Sequence, residues 1–181
     1  IEQITISPDN PYYDSRENCR CLIETSTNTL IRGGGDVHIP DSVTSIGQYA
    51  FANCSGLTSI DIPDNVQYIG SYCFSGCSYL EQVHLPNSLI MIHSGAFKEC
   101  TLLKSIDIPS TVKYISDNVF SKCSSLERVI LPKALTIHPD VDKSVIGAVP
   151  SIESTSNLII EEENEKVSLS YLVRKSHSRH K

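Results

Sequence analysis

Pro40 is followed by prolines at positions 63, 86, 109 and 132, an unbroken step of 23 residues. Phe51, Phe74, Phe97 and Phe120 keep that step, as do Cys54, Cys77, Cys100 and Cys123. Self-similarity at a fixed period of roughly 20–50 residues is the mark of a stacked repeat architecture. It restricts this chain to a solenoid, α/β or mainly β, with parallel strands stacked one per repeat. Four complete copies run 40–62, 63–85, 86–108 and 109–131 without insertion or deletion.

Within each copy, apolar residues recur at fixed offsets from the proline. The columns include Val43/Val66/Leu89/Val112, Ile46/Ile69/Ile92/Ile115 and Leu57/Leu80/Leu103/Leu126. Each copy closes on L-x-x-[IV]-x-[IL]-P, where apolar and polar residues alternate with the period of a strand. Proline directly after it cannot extend a ladder and turns the chain. A second short extended piece fits Val66 to Ile69 and its equivalents. The stretch from Phe to Leu, as in Phe74 to Leu80, is too short for a regular helix and predicts one helical or 3₁₀ turn. No single copy can enclose its own apolar side chains, whereas stacked neighbours share one continuous core.

The array frays at both ends. Ile6 and Ile39, each the last apolar residue before a turn, lie 33 residues apart rather than 23. The added length holds Cys21 to Arg32, which reads as a hairpin around Ser26-Thr27-Asn28. Gly33-Gly34-Gly35 reads as a flexible turn into the regular array. We therefore divide the chain into an irregular N-terminal repeat with a hairpin insertion (1–39), the array (40–138) and a C-terminal segment (139–181). In the last, 151–157 reads as a linker, and Leu158–Glu162 and Val167–Tyr171 fit a hairpin; a cap and a disordered tail fit equally. The basic end from Arg174 to Lys181 reads as a solvated tail. Ile1 to Ile6 matches Leu80 to Leu85, so the chain is expected to begin partway through a structural unit of a longer protein.

Composition narrows the function. A net charge of −6 argues against nucleic acid as a partner, because phosphate binding needs a basic surface. No stretch approaches the ~18 consecutive apolar residues of a membrane-spanning helix. No G-x-S-x-G, H-E-x-x-H, G-x-G-x-x-G or P-loop pattern occurs. We therefore expect no catalytic set, no cofactor and no metal. Four of the 7 cysteines fall one per repeat, and such a column cannot wrap a tetrahedral ion. They read as small core residues, as does Cys73 in the column of Ala50 and Ala96. For Cys19 and Cys21, a local disulfide and two free thiols both fit.

The informative polar positions point outward from the strand. One column holds Ser59, Gln82, Ser105 and Arg128, and the next holds Asp61, His84, Asp107 and Ile130. Stacked strands would set His84 between Asp61 and Asp107, either as a charge ladder on the surface or as a ligand-contacting strip. Tyrosines offer a rival surface, with Tyr49 and Tyr72 at one offset and Tyr68 and Tyr114 at another. Packing beside the Phe column would also suit them.

The pattern P-x-x-V-x-x-I-G-x-x-[AC]-F-x-x-C-x-x-L-x-x-I-x-I resembles the BspA-like leucine-rich repeats, tightly over about 40–138 and loosely over 1–39. Asn10 to Cys19, followed by Ile23-Glu-Thr25 and Thr27 to Ile31, looks like an irregular repeat of Bacteroidetes members. The phrase Ile39 to Gly47 is typical of them. The resemblance implies a leucine-rich-repeat solenoid in a cell-surface or secreted protein, with adhesion to host extracellular matrix or another microbial surface protein. It supplies no catalytic residues and inherits nothing beyond about 138. A binding module is therefore the expectation, and a passive spacer presenting another domain is the alternative.

Overall fold

The computed structural model describes residues 6–132, together with the strand backbones at 136–137, 159–162 and 165–168. The readings of Ile1 to Thr5, of the break at His138-Pro139, of the linker at 151–157 and of the basic end lie outside the described residues.

The chain winds into a β-solenoid of about 4 turns, its parallel strands stacked about 23 residues apart. The N-terminal part contributes β1 (Tyr13–Asp14), β2 (Leu22–Glu24) and β3 (Thr29–Arg32), paired antiparallel in sequence. From there each copy adds two strands. They are β4 (Ser45–Ile46) and β5 (Ser59–Asp61), then β6 (Tyr68–Ile69) and β7 (Gln82–His84). The third and fourth copies give β8 (Met91–Ile92), β9 (Ser105–Asp107), β10 (Tyr114–Ile115) and β11 (Arg128–Leu131). Beyond them come β12 (Thr136–Ile137), β13 (Ile159–Glu162) and β14 (Glu165–Ser168).

One sheet runs unbroken, in the order β1-β2-β3-β4-β6-β8-β10-β12. Its parallel part is in strict register: Ile46 sits against Ile69, Ile69 against Ile92, and Ile92 against Ile115. Thr136–Ile137 pairs with Tyr114–Ile115, so the fifth copy keeps phase through Ile137. The antiparallel hairpin β2–β3 covers the N-terminal end and buries Ile23 and Leu30 against the first copy. Asp14 and Arg16, bonded at 2.6 Å, fix the approach to it; the guanidinium lowers the Asp14 carboxyl below its ordinary range.

The second set of strands is split. β5 pairs only with β7, while β9 pairs with β11, then β13 and β14. The expected ladder through His84 and Asp107 is thus interrupted between β7 and β9. β13 lies parallel to β11 and antiparallel to β14, so a hairpin extends this sheet beyond the fourth copy.

The core follows the columns read from the sequence. The four Phe rings stack face to face at 5.1, 5.2 and 6.0 Å between centroids, with planes within 12°. Gly33 is not a flexible turn: a Cβ there would lie 2.1 Å from Phe51 Cε1, so the glycine backbone closes off the end of the ring stack. Gly35 lies against the Gly56 backbone, where a Cβ would come within 2.7 Å.

The segment from Phe to Leu differs from the expected helical turn. It is a run of successive turns in which Phe51, Phe74, Phe97 and Phe120 carbonyls accept the N–H of the cysteine three residues on, at 3.1–3.2 Å. Left-handed residues interrupt any helix: Tyr49, Tyr72, Gly95 and Asn118 (φ 54–63°), then Asn53, Gly76, Glu99 and Lys122 (φ 58–75°). Alternating hand aims every second N–H along the solenoid axis. Tyr49, Phe51 and Asn53 donate to Ser71, Cys73 and Ser75 at 3.1, 2.8 and 2.8 Å. The next two junctions repeat the scheme. These bonds answer where the turn's backbone donors go, and they join the copies along a third edge.

Candidate functional site

The outward columns lie on β5, β7, β9 and β11. Ser59, Asp61, Gln82, His84, Ser105 and Asp107 are exposed, and Arg128 and Ile130 are half-buried. Alternation puts Ile60 and Ile106 inward on β5 and β9, which frees the flanking residues for solvent. Register sets Ser59 beside Gln82, Asp61 beside His84, Ser105 beside Arg128 and Asp107 beside Ile130.

His84 Nδ1 meets an Asp61 carboxylate oxygen across the first junction. Their side chains are 72% and 86% exposed, so the pair adds at most about 1 kcal/mol and serves to orient the two groups. Asp107 stands on the far side of the break rather than completing a three-residue ladder. In that break lies a cleft of about 390 Å³, walled by Glu81 to Leu85 on one side and Ser105 to Asp107 with Arg128 on the other. Five of the eight candidate strip residues, Gln82, His84, Ser105, Asp107 and Arg128, thus surround one opening. Val83 is only half-buried at its edge, unlike Ile60, Ile106 and Val129.

The rival tyrosine surface separates into two. Tyr49 and Tyr72 stack at 5.4 Å on the turn face, with Lys98 Nζ 6.0 Å from the Tyr72 ring. Tyr68 and Tyr114 flank Met91 on the outer face of the continuous sheet. Tyr49, Tyr68 and Tyr114 are exposed rather than packed beside the phenylalanines.

The cysteines do more than fill space. Cys77, Cys100 and Cys123 thiols donate to the Phe51, Phe74 and Phe97 carbonyls of the preceding copy at 3.0, 3.2 and 3.1 Å. Desolvation pushes Cys77 and Cys123 up to about 12, and drives Cys73 and Cys100 up as well. These sulfurs stay protonated and act as donors, not nucleophiles or ligands. The only sequence signal for the bond was a spacing of one repeat plus three residues. Cys19 and Cys21 form a disulfide at the N-terminal end of the core. Among the described residues, no group of three or more His, Cys, Asp and Glu is placed to hold a metal ion. Among them, too, no helix is long and apolar enough to cross a membrane.

Two strands per copy, one shared core and an outward-facing strip of mostly polar residues define a repeat protein that offers an extended surface. The chain belongs to the family described as the BspA type leucine rich repeat region, which it matches in 6 copies over residues 35–141. It is similar to a leucine rich cell surface protein from Faecalibacterium prausnitzii A2-165: 30% identity, TM-score 0.73, over 91% of this chain and 42% of that one. It is also similar to a T. pallidum leucine rich repeat protein, TpLRR, at 30% identity and TM-score 0.59 over 64% of this chain and 58% of that one. A leucine-rich repeat protein from Bacteroides capillosus ATCC 29799 shares 30% identity, with TM-score 0.53, over 60% of this chain and 91% of that one. The chain spans 58% and 42% of the first two structures. A search of curated proteins finds no match.

Proposed function

We propose that this chain is a non-catalytic protein-binding module of a bacterial cell-surface or secreted leucine-rich-repeat protein. Its contact face is the strip Ser59, Asp61, Gln82, His84, Ser105, Asp107, Arg128 and Ile130. The observation that carries this reading is the convergence of five of those residues on the one cleft between β7 and β9. The description of the F. prausnitzii relative as a cell surface protein supports the location. The partner is a protein, either of host extracellular matrix or of another microbial surface.

The test is binding of the chain to immobilised extracellular-matrix proteins, compared with the Asp61→Ala, His84→Ala, Asp107→Ala triple variant. All three side chains are exposed, so the variant keeps its fold. Affinity should fall at least tenfold, and unchanged affinity in a folded variant would move the contact face elsewhere. The unbroken Phe stack favours a second reading, a stiff spacer that presents another domain. No binding to any matrix protein at micromolar concentration would favour it.

A further inference from the structure

Strand β11 presents its two edges on alternate residues. The Ile130 carbonyl accepts the Ile108 N–H at 2.9 Å, so the main-chain groups of Ile130 are directed at β9. Alternation turns those of Val129 and Leu131 the other way, toward the end of the array. An open row of such donors and acceptors is a template on which another chain can build.

The period would place the next partner of β11 at 151–154, Ser151-Ile-Glu-Ser. The strand on that edge is β13 instead, which starts at Ile159 opposite Arg128. Pro150 supplies the reason. It holds the repeat offset of Glu81 and Glu127, whose N–H groups donate to the Thr58 and Lys104 carbonyls at 2.8 Å and tie one copy to the last. Proline has no N–H to donate. Addition in phase is therefore interrupted just ahead of its strand, whereas Ile159 to Glu162 carries an N–H at every residue.

The register continues the two inward columns of the strip sheet with opposite results. Buried Val129 is paired with Ile160, and Ile160 with Val167, so this column stays apolar to the last strand. Leu131 is paired with Glu162, and Glu162 with Glu165, so the column Ile62, Leu85, Ile108, Leu131 ends on two glutamates. β14 runs antiparallel, unlike β5, β7, β9 and β11, and is the last strand of this sheet among the described residues. A further copy would have to lay a parallel strand on a reversed one and an apolar residue on glutamate. Polar terminal units of this kind end a repeat array. The continuous sheet is closed at the opposite end of the molecule by another antiparallel hairpin, β2–β3.

We infer that β13–β14 is a cap that closes the strip-side sheet and keeps the β11 edge from pairing with a second copy of this chain. The excluded occupant is a second copy because the edge is self-complementary. Two β11 strands related by a two-fold axis offer each other the same Val129 and Leu131 main-chain groups. Val129, Ile130 and Leu131 also form an apolar run, the composition that makes an uncovered edge associate.

Hydrogen exchange at single amides of the whole chain tests this, with sedimentation velocity as a second readout. In the parent chain the Val129 and Leu131 amides should be protected like that of Ile108, which bonds within the array. Ile160→Pro removes an N–H from the middle of β13. It should speed exchange at Val129 and Leu131 by about tenfold or more while Ile108 holds. The same variant should form dimers at concentrations where the parent chain does not. Ile152→Pro, in the in-phase segment, should change neither readout. Fast exchange at Val129 and Leu131 in the parent chain would overturn the inference, and that measurement needs no variant. Unchanged exchange in Ile160→Pro, or exposure by Ile152→Pro in its place, would overturn it as well. So would an edge opened by Ile160→Pro that never dimerises.

Discussion

Replacing Phe74 by alanine asks whether the ring column is the axis on which the array is stable. Phe74 is fully buried and stacks on Phe51 at 5.1 Å and on Phe97 at 5.2 Å. Emptying a buried phenylalanine site costs about 3–5 kcal/mol. Each stacked pair carries about 0.5–1.5 kcal/mol beyond its buried area, so the two stacks account for about 1–3 kcal/mol of that loss. Among the described residues Phe120 stacks on Phe97 alone, at the longer 6.0 Å. Phe120→Ala should therefore cost about 1 kcal/mol less than Phe74→Ala. Urea denaturation followed by far-ultraviolet circular dichroism measures both. With a slope of about 1–3 kcal/mol per molar urea, a loss of about 4 kcal/mol lowers the midpoint by roughly 1.3–4 M. Stability in such an array is a sum over neighbouring interfaces, so an inner ring should matter more than an outer one. A Phe74→Ala loss equal to or below that of Phe120→Ala would refute the reasoning.

Gly33→Ala should destabilise the chain by about 1–3 kcal/mol, because its Cβ would fall 2.1 Å from Phe51 Cε1; the urea midpoint reads this directly. Cys73, Cys77, Cys100 and Cys123 should resist a thiol reagent in the folded chain while half-buried Cys54 reacts, and all should react in guanidinium. Cys77 and Cys123 are pushed up to about 12 from the ordinary 9.0, so their contribution to stability is intact below pH 9.0. It is lost as pH climbs through about 12, because the unfolded chain releases those protons first. Unfolding free energy should thus fall above pH 9.0, and the Cys77→Ser, Cys123→Ser double variant should flatten that fall. Reducing the Cys19–Cys21 disulfide, which closes so short a loop, should cost only about 1.5 kcal/mol by urea denaturation.

Much of the scaffold could be read from the chain. The apolar columns, the Phe stack and the second extended piece at Tyr68–Ile69 all follow from offsets that repeat. The hand of the turn residues could not be read. Only Gly76 and Gly95 among the eight left-handed positions are glycines, and asparagine, tyrosine, glutamate and lysine share the rest. What holds those residues in place is the N–H bond to the next copy, which no local propensity records. The thiol bonds escaped for the same reason. A cysteine in an apolar column satisfies the requirement for a small residue, and its carbonyl partner lies one repeat away.

The candidate site divides along the same line. Alternation alone exposes Asp61, His84 and Asp107, and an in-phase repeat alone would make their column continuous. Whether two neighbouring strands actually meet depends on how side chains from adjacent copies share one layer. Period and polarity thus settle which residues face outward, because they act within one 23-residue unit. Packing between units settles where the surface opens, and that is decided only when the solenoid is built.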